Sequence, residues 1–116
     1  MAPQGARMTV RWFVPSGEVG ALNIALQTLM TATRAQPGCM SCSLSSQLGE
    51  RARFTYVEEW RSEEDLKSQL RSERFAKLAH LMEGATERPT VEFVLPGGTR
   101  GIDYAEEVHG HQGEVS

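Results

Sequence analysis

The sequence lacks the features that mark several specialised classes of protein. Only 2 of its 116 residues are cysteine, too few for the disulfide framework of a small secreted domain. No apolar run approaches the ~20 residues that a membrane-spanning helix requires, and the first residues are too polar for a signal peptide. The net charge of −3 argues against nucleic-acid binding, which usually needs a basic surface. These absences predict a cytoplasmic protein without a nucleic-acid or membrane partner.

The hydrophobic content of 40% and charged content of 23% are typical of a globular domain. A chain of this length buries roughly 65% of its unfolded surface and can form a core of its own. We expect a frayed leader at 1–7, one domain at 8–98 and a polar, glycine-punctuated tail at 99–116.

Two hydrophobic periodicities alternate along the domain. Alternation every second residue predicts strands, and apolar residues three and four apart predict helices. Ser72 and Glu73 interrupt the second helical pattern, which predicts a break before Phe75. The predicted elements, in order, are a strand at Thr9–Val14, a helix at Ala21–Ala35, strands at Cys39–Gln47 and Arg53–Trp60, a helix from Ser62 to Gly84, and a strand at Thr90–Leu95.

This order of strand, helix, strand, strand, helix, strand is the ferredoxin-like split βαβ pattern of the α+β class. It predicts an antiparallel sheet with two helices on one face. Neither face of the two central strands is cleanly polar, so the face without helices needs a cover. A second copy of the chain is the simplest cover, and we expect an isologous homodimer.

Cys39 and Cys42 have the CxxC spacing of redox and zinc sites. They fall at the start of a predicted strand, where residues three apart face opposite ways, so the thiols should diverge. Neither a second CxxC nor a nearby histidine completes four ligands. We therefore predict no metal site and interpret the two cysteines as half-buried small apolar residues.

The three histidines allow more than one interpretation. His109 and His111 form an HxH pair in the polar tail, where solvated side chains are more common than metal ligands. His80 lies beside the apolar side of the second helix. It is either an edge residue or a base in a pocket, since imidazole exchanges protons near neutral pH.

The stretch from Gln36 to Met82 resembles the antibiotic biosynthesis monooxygenase family. The resemblance consists of a Pro37-Gly38 helix stop, two strands that end in Glu58-Glu59-Trp60, and a helix capped by Ser62. It covers about residues 8–95. It implies a small ferredoxin-like domain that pairs into a dimeric α/β barrel. In that family a C-terminal segment often reaches across the dimer, and Ile102 and Tyr104 could anchor one here.

Characterised quinol-forming members of that family use no cofactor. A phenolic or dihydroxy-aromatic substrate loses a proton, and its anion passes an electron to dioxygen. The protein supplies a dry pocket, orientation and hydrogen bonds to the developing anion. The resemblance thus implies a monooxygenase whose partners are a second copy, a small aromatic molecule and dioxygen. The alternative is a non-catalytic dimeric protein that binds a small molecule or serves in a stress response, since fold alone does not fix activity.

The resemblance also implies a site. Trp60 would stack on the substrate ring where the sheet meets the second helix, although aromatics on one strand face are often only core residues. Tyr56 and His80 would be catalytic, the first bonding a substrate oxygen and the second taking a proton. Gln69 and Arg74 would complete the substrate-binding set, at positions where several relatives have histidines; the alternative for Arg74, at the helix break, is an ordinary surface arginine. Haem degradation is rejected because its tryptophan and asparagine are missing and His80 is offset by about 100° around the helix.

Overall fold

The computed structural model describes residues 5–114, and the side chains of residues 5–109. The predicted elements are present, with the second helix divided in two and with one further strand and one further helix at the C-terminal end. The elements are β1 (Ala6–Pro15), a short 3-10 helix (Ser16–Glu18), α1 (Val19–Arg34), β2 (Cys39–Gln47), β3 (Arg51–Trp60), α2 (Glu63–Leu70), α3 (Glu73–Met82), β4 (Thr90–Leu95), β5 (Gly98–Arg100) and α4 (Ile102–Glu114).

The five strands form one antiparallel sheet in the order β2-β3-β1-β4-β5. The prediction of an α+β, ferredoxin-like fold is confirmed. Because side chains alternate along a strand, the even-numbered residues of β1 and β3 all point to one face. These residues are buried beneath the helices and include Met8, Val10, Trp12, Phe54, Tyr56, Glu58 and Trp60.

The predicted break in the second helix is confirmed and lies between α2 and α3. Each of the two helices has its own N-terminal cap, a serine just before the helix. The serine hydroxyl accepts a hydrogen bond from a backbone amide of the first turn, which has no acceptor within the helix. Ser62 accepts from the amide of Asp65 at 3.2 Å, and Ser72 accepts from the amide of Phe75 at 3.3 Å. The break therefore interrupts the helical periodicity, so the side chains of α3 do not continue the angular sequence of α2.

The C-terminal region differs from the polar tail that the sequence predicts. Tyr104 and Val108 lie four residues apart on α4 and are buried against the sheet. The Tyr104 ring packs on Phe93 with centroids 5.0 Å apart, and its hydroxyl donates to Glu63 at 2.7 Å. Ala105 is buried beside them, and these few apolar contacts dock a helix that is otherwise mostly polar. Ile102 is 46% exposed, and a crossing of this segment to a second copy stays a prediction.

Among the described residues, no helix combines the length and apolar character needed to cross a membrane.

Two glycines provide a test of the turn between α1 and β2. Gly38 has a φ of 85°, and a Cβ added there would lie 2.3 Å from Oδ2 of Asp65. We expect Gly38→Ala to lower the free energy of unfolding by at least about 1–2 kcal/mol, the cost of left-handed backbone for an alanine. Gly20→Ala is the control, since no atom lies within 4 Å of its added Cβ inside α1. It should stabilise by about 0.5–1 kcal/mol in the same urea titration. Equal effects of the two variants would contradict this prediction.

Candidate functional site

A buried carboxyl group lies at the centre of the helix-covered sheet face. Glu58 on β3 is 0% exposed. Its Oε2 accepts hydrogen bonds from the Tyr56 hydroxyl at 2.5 Å and from Nε2 of Gln69 at 3.3 Å. Its Oε1 accepts from Nε1 of Trp60 at 2.9 Å. Both carboxyl oxygens are thus satisfied by side chains, as burial of such a group requires.

Burial sets the protonation of this network. It raises the pKa of Glu58 above the ordinary carboxyl range, although the three donated hydrogen bonds and the charge of Arg74 act against it. Burial also raises the pKa of Tyr56, and the neighbouring Glu58 adds to that rise. The Cys42 thiol donates to the Tyr56 hydroxyl at 3.3 Å, and burial raises the pKa of Cys42 to about 11. The tyrosine and the thiol are therefore neutral hydrogen-bonding groups at physiological pH.

Gln69 connects the carboxyl to a cation. Its amide nitrogen donates to Glu58 and also to Oγ1 of Thr33 at 3.3 Å, and its Oε1 accepts from Nε of Arg74 at 2.9 Å. In a continuous helix, residues five apart point about 140° away from each other. The break between α2 and α3 removes this separation and lets Arg74 reach back to Gln69. The cap at Ser72 is therefore what places the guanidinium beside the network.

A cavity of about 170 Å³ lies next to the network, between the sheet and α2. Trp60 gives it an aromatic wall, Arg74 a cation and Asp65 a carboxylate. An apolar cavity of about 150 Å³ holds one benzene molecule, so this space fits a single aromatic ring. Gln36, Pro37, Ser68 and Gln69 complete the lining.

Asp65 is held by the cap of α2. Its Oδ2 accepts from the Ser62 hydroxyl at 2.9 Å and lies 3.8 Å from Nε of Arg61. The absence of a side chain at Gly38 makes room for this carboxylate, because an added Cβ would overlap it. The cavity thus carries one positive and one negative group on its wall.

The structure brings together three of the five residues that the sequence predicts for the site, namely Trp60, Gln69 and Arg74. Tyr56 lies behind them, fully buried, with its hydroxyl bonded to Glu58 rather than facing the cavity. His80 is not part of the cluster. Its side chain is 81% exposed, its Nδ1 lies 3.5 Å from Glu83, and it lines a separate groove between α1 and α3. The expectation that Trp60, Tyr56 and His80 share one cavity is therefore not met.

Sequence reasoning missed two carboxylates of this region. Glu58 shares a strand face with Tyr56 and Trp60, and a charged residue on such an aromatic face is a signal for a buried polar network. Asp65 follows Ser62 by three residues, a position in the first helical turn where an acidic side chain interacts favourably with the helix dipole. Asp65 also lines the cavity, and this depends on how closely the turn at Gly38 approaches its side chain.

The prediction that the two thiols diverge is wrong. The pairing of β2 with β3 shifts register between Cys39 and Ser41, so Cys39 lies opposite Trp60 and Cys42 opposite Glu58. An extra residue in a strand reverses the alternation of the side chains beyond it. Met40 is that residue and is 69% exposed. Both thiols therefore face the helices, and both are free.

The histidine pair of the tail is described only in part. The His109 ring is exposed and lies 6.4 Å from the Phe75 ring. The side chain of His111 lies outside the described residues, so the prediction of a solvated pair stays a prediction.

A protein-family model described as antibiotic biosynthesis monooxygenase matches residues 6–81, a range that contains the whole network and the cavity lining. The chain belongs to the antibiotic biosynthesis monooxygenase family. The resemblance inferred from the sequence is confirmed.

Solved structures share the fold of this family member at low sequence identity. A conserved protein from Methanosarcina mazei Go1 is 20% identical with a TM-score of 0.71, covering 81% of this chain and 94% of the other. A structure described as antibiotic biosynthesis monooxygenase is 20% identical with a TM-score of 0.66 and coverages of 76% and 94%. A Shewanella oneidensis protein is 24% identical with a TM-score of 0.68 and coverages of 78% and 89%. No curated protein matches the sequence.

The raised pKa of Glu58 gives a pH-dependent prediction for stability. The folded state holds this proton more tightly than the unfolded state, so the carboxyl contributes most below its unfolded pKa and loses that contribution as pH rises through its folded pKa. We expect the free energy of unfolding of the unmodified protein, relative to Glu58→Gln, to fall across that window. Chemical denaturation at a series of pH values measures the difference.

Glu59→Gln is the matched control for loss of one carboxyl group, because Glu59 is exposed on the opposite sheet face. A difference between the unmodified protein and Glu58→Gln that rises with pH would contradict the prediction.

Proposed function

We propose that this family member is a cofactor-independent monooxygenase that oxidises a single-ring phenol or quinol with dioxygen. The observation that carries the proposal is the ring-sized cavity whose wall combines Trp60, Arg74 and Asp65. An aromatic wall, a cation and a carboxylate suit a planar molecule that has an oxygen at each end. The family membership supports the reaction class.

Binding is expected to favour the substrate anion. The ring packs against Trp60, and one ring oxygen faces the guanidinium of Arg74. A cation within a few ångströms lowers the pKa of a phenol, because it stabilises the charged form. Guanidinium has five N–H donors, and its Nε–H bond to Gln69 fixes the plane in which the other donors point.

The carboxylate of Asp65 is the group on the cavity wall that takes the phenolic proton in this proposal. The resulting anion gives one electron to dioxygen, and the two radicals combine through a new carbon–oxygen bond. Loss of water then leaves a quinone. One oxygen atom enters the ring, the other leaves as water with two hydrogen atoms from the substrate, and the substrate supplies all four electrons.

Tyr56 and Glu58 act as positioning residues in this scheme. The carboxyl of Glu58 holds the indole of Trp60 and the amide of Gln69, and Tyr56 holds the carboxyl. A group fixed by packing and hydrogen bonds needs little reorganisation when charge develops, which is a main source of catalytic rate. The network thus keeps the aromatic wall and the cation of the cavity in place.

The second element of the proposal is a homodimer formed through the sheet face that carries no helices. Phe13, Thr55 and Val57 are half-buried on that face, and Val57 lies opposite Thr9 and Ser43 near its middle. The family is typically dimeric. Two such faces can pack in an isologous contact and so cover the apolar side chains.

Oxygen consumption with a panel of hydroquinones and catechols tests the activity. We expect Arg74→Met and Asp65→Asn to lower kcat/KM by at least ~10²-fold, since one loses the anion-stabilising cation and the other the proton acceptor. Arg71→Met is the control, because Arg71 is exposed and lines a different crevice. Circular dichroism confirms folding of each variant.

The same assay decides between Asp65 and the predicted base His80. Loss of more than ~10²-fold in a folded His80→Ala variant, with activity kept in Asp65→Asn, would assign the proton to the histidine and contradict the role of Asp65. Binding of a phenol without oxygen consumption by the unmodified protein would instead support the non-catalytic alternative.

Light scattering at micromolar concentration tests the dimer. We expect the unmodified protein to have twice the mass of the chain, and Val57→Lys to be monomeric because two buried ammonium groups would face each other. Gln27→Lys, an exposed change on α1, is the control for added charge. A monomeric unmodified protein would overturn the proposed assembly.

A further inference from the structure

A second, larger recess lies on the far side of Arg74 from the ring-sized cavity. It is a groove of about 740 Å³ between α1 and α3, which we call the helix groove. Its volume falls in the range of small-molecule sites, about 300–1,000 Å³. The lining is mainly apolar and includes Ala25, Leu29, Ala32 and Ala76, with Arg74 at its border.

The helix groove exists because small side chains occupy the facing positions of the two helices. Ala25 and Ala32 lie seven residues apart on α1, so they share one side of that helix. Ala76 stands on α3 in the first turn after Arg74. A leucine at any of these positions would fill part of the space. The most buried lining residue is Leu29, at 6% exposure.

Arg74 lines both the helix groove and the ring-sized cavity, and within residues 5–109 it alone is shared by the two linings. Its side chain is half-buried and is tied to Gln69 by the 2.9 Å bond from Nε. The guanidinium therefore borders both recesses. When a ring lies in the cavity with its oxygen toward this guanidinium, a substituent ortho to that oxygen points toward the groove.

The charges around the groove favour a small anion over a cationic partner. Arg74 and Lys77 contribute positive charge to its lining and Glu73 contributes one negative charge. The two recesses together suit an amphipathic molecule with a compact ionisable ring and an extended apolar part. The 170 Å³ cavity alone has room for the ring but not for the extended apolar part of such a molecule.

We propose that the helix groove binds the apolar substituent of the substrate, so that the substrate class is a phenol or quinol carrying an unbranched alkyl or comparable apolar chain. This inference rests on the proposed function for the identity of the ring. The ring occupies the cavity beside Trp60, its oxygen pairs with Arg74, and the chain lies along Leu29 between the two helices.

A homologous series of 2-alkylphenols, from methyl to heptyl, tests the groove by binding alone, because a chain ortho to the oxygen that faces Arg74 can pass that side chain into the groove. Affinity is measured by calorimetry or by quenching of tryptophan fluorescence, in the absence of turnover. Burying one methylene group in an apolar site strengthens binding by about fourfold. We expect affinity to increase by about this factor per carbon over the first several carbons and then to level off when the groove is full.

Ala76→Glu places a carboxylate in the groove at an exposed helix position. It should abolish the increase of affinity with chain length across the 2-alkylphenol series. Ala21→Glu is the matched control, because Ala21 is exposed near the start of α1 and does not line the groove. It should keep the full dependence on chain length. Ala76→Leu, which fills part of the groove without charge, should make the affinity level off at a shorter chain than in the unmodified protein.

The proposal is overturned if affinity does not change with chain length, or if Ala76→Glu and Ala21→Glu give the same dependence. Self-association of the unmodified protein that Ala76→Glu abolishes would make a second copy the occupant and would also overturn it. The monooxygenase proposal fails by a different result, since chain-length-dependent binding without oxygen consumption leaves the groove in place and removes only the activity.

Discussion

A carboxyl group without access to water must find hydrogen-bond donors for both of its oxygens, and the arrangement around Glu58 follows from this requirement. One donor is the neighbouring Tyr56 and another is Trp60, two residues away on either side along the same strand face. The third is Gln69, which comes from α2. Truncating any one donor would leave part of a buried carboxyl unsatisfied, at a cost of about 1–3 kcal/mol. The network therefore fixes the position of α2 over the sheet as well as the orientation of the indole.

The two serine caps place charged side chains on the wall of the cavity beside this network. Ser62 starts α2 and holds Asp65, and Ser72 ends the break and starts α3 with Arg74 in its first turn. Capping is usually discussed as a contribution to helix stability. In this chain it also decides which charged side chains reach the space beside Trp60. The left-handed turn at Gly38 completes the arrangement, because only a residue without Cβ can pass so close to Asp65.

A reaction without metal or flavin depends entirely on how the protein positions its own side chains. In the proposed scheme the substrate supplies the electrons, and the protein contributes a cation for the anion, an acceptor for the proton and a surface for the ring. The buried pair Tyr56 and Glu58 contributes none of these directly. It keeps the groups that do so from moving, which matches the general rule that preorganised dipoles and charges stabilise a developing anion more than mobile ones. The helix groove lies next to this arrangement, since Arg74 borders both spaces.

The sequence by itself determined the fold class, the order of the main elements and the break at Ser72, because hydrophobic period, capping residues and the Pro37-Gly38 stop are local signals. It also pointed to Trp60, Gln69 and Arg74, which line one cavity. It could not place Tyr56, His80 or the CxxC pair. The bulge at Met40 reverses the alternation of side chains along β2, so both thiols face the helices. His80 lies on the side of α3 that points away from the sheet. The Tyr56 hydroxyl donates to Glu58, a carboxyl that is buried only because the helices pack over it. Tertiary structure decided these points because each depends on which residue lies opposite across a strand pair or helix contact, and that information is not local in the chain.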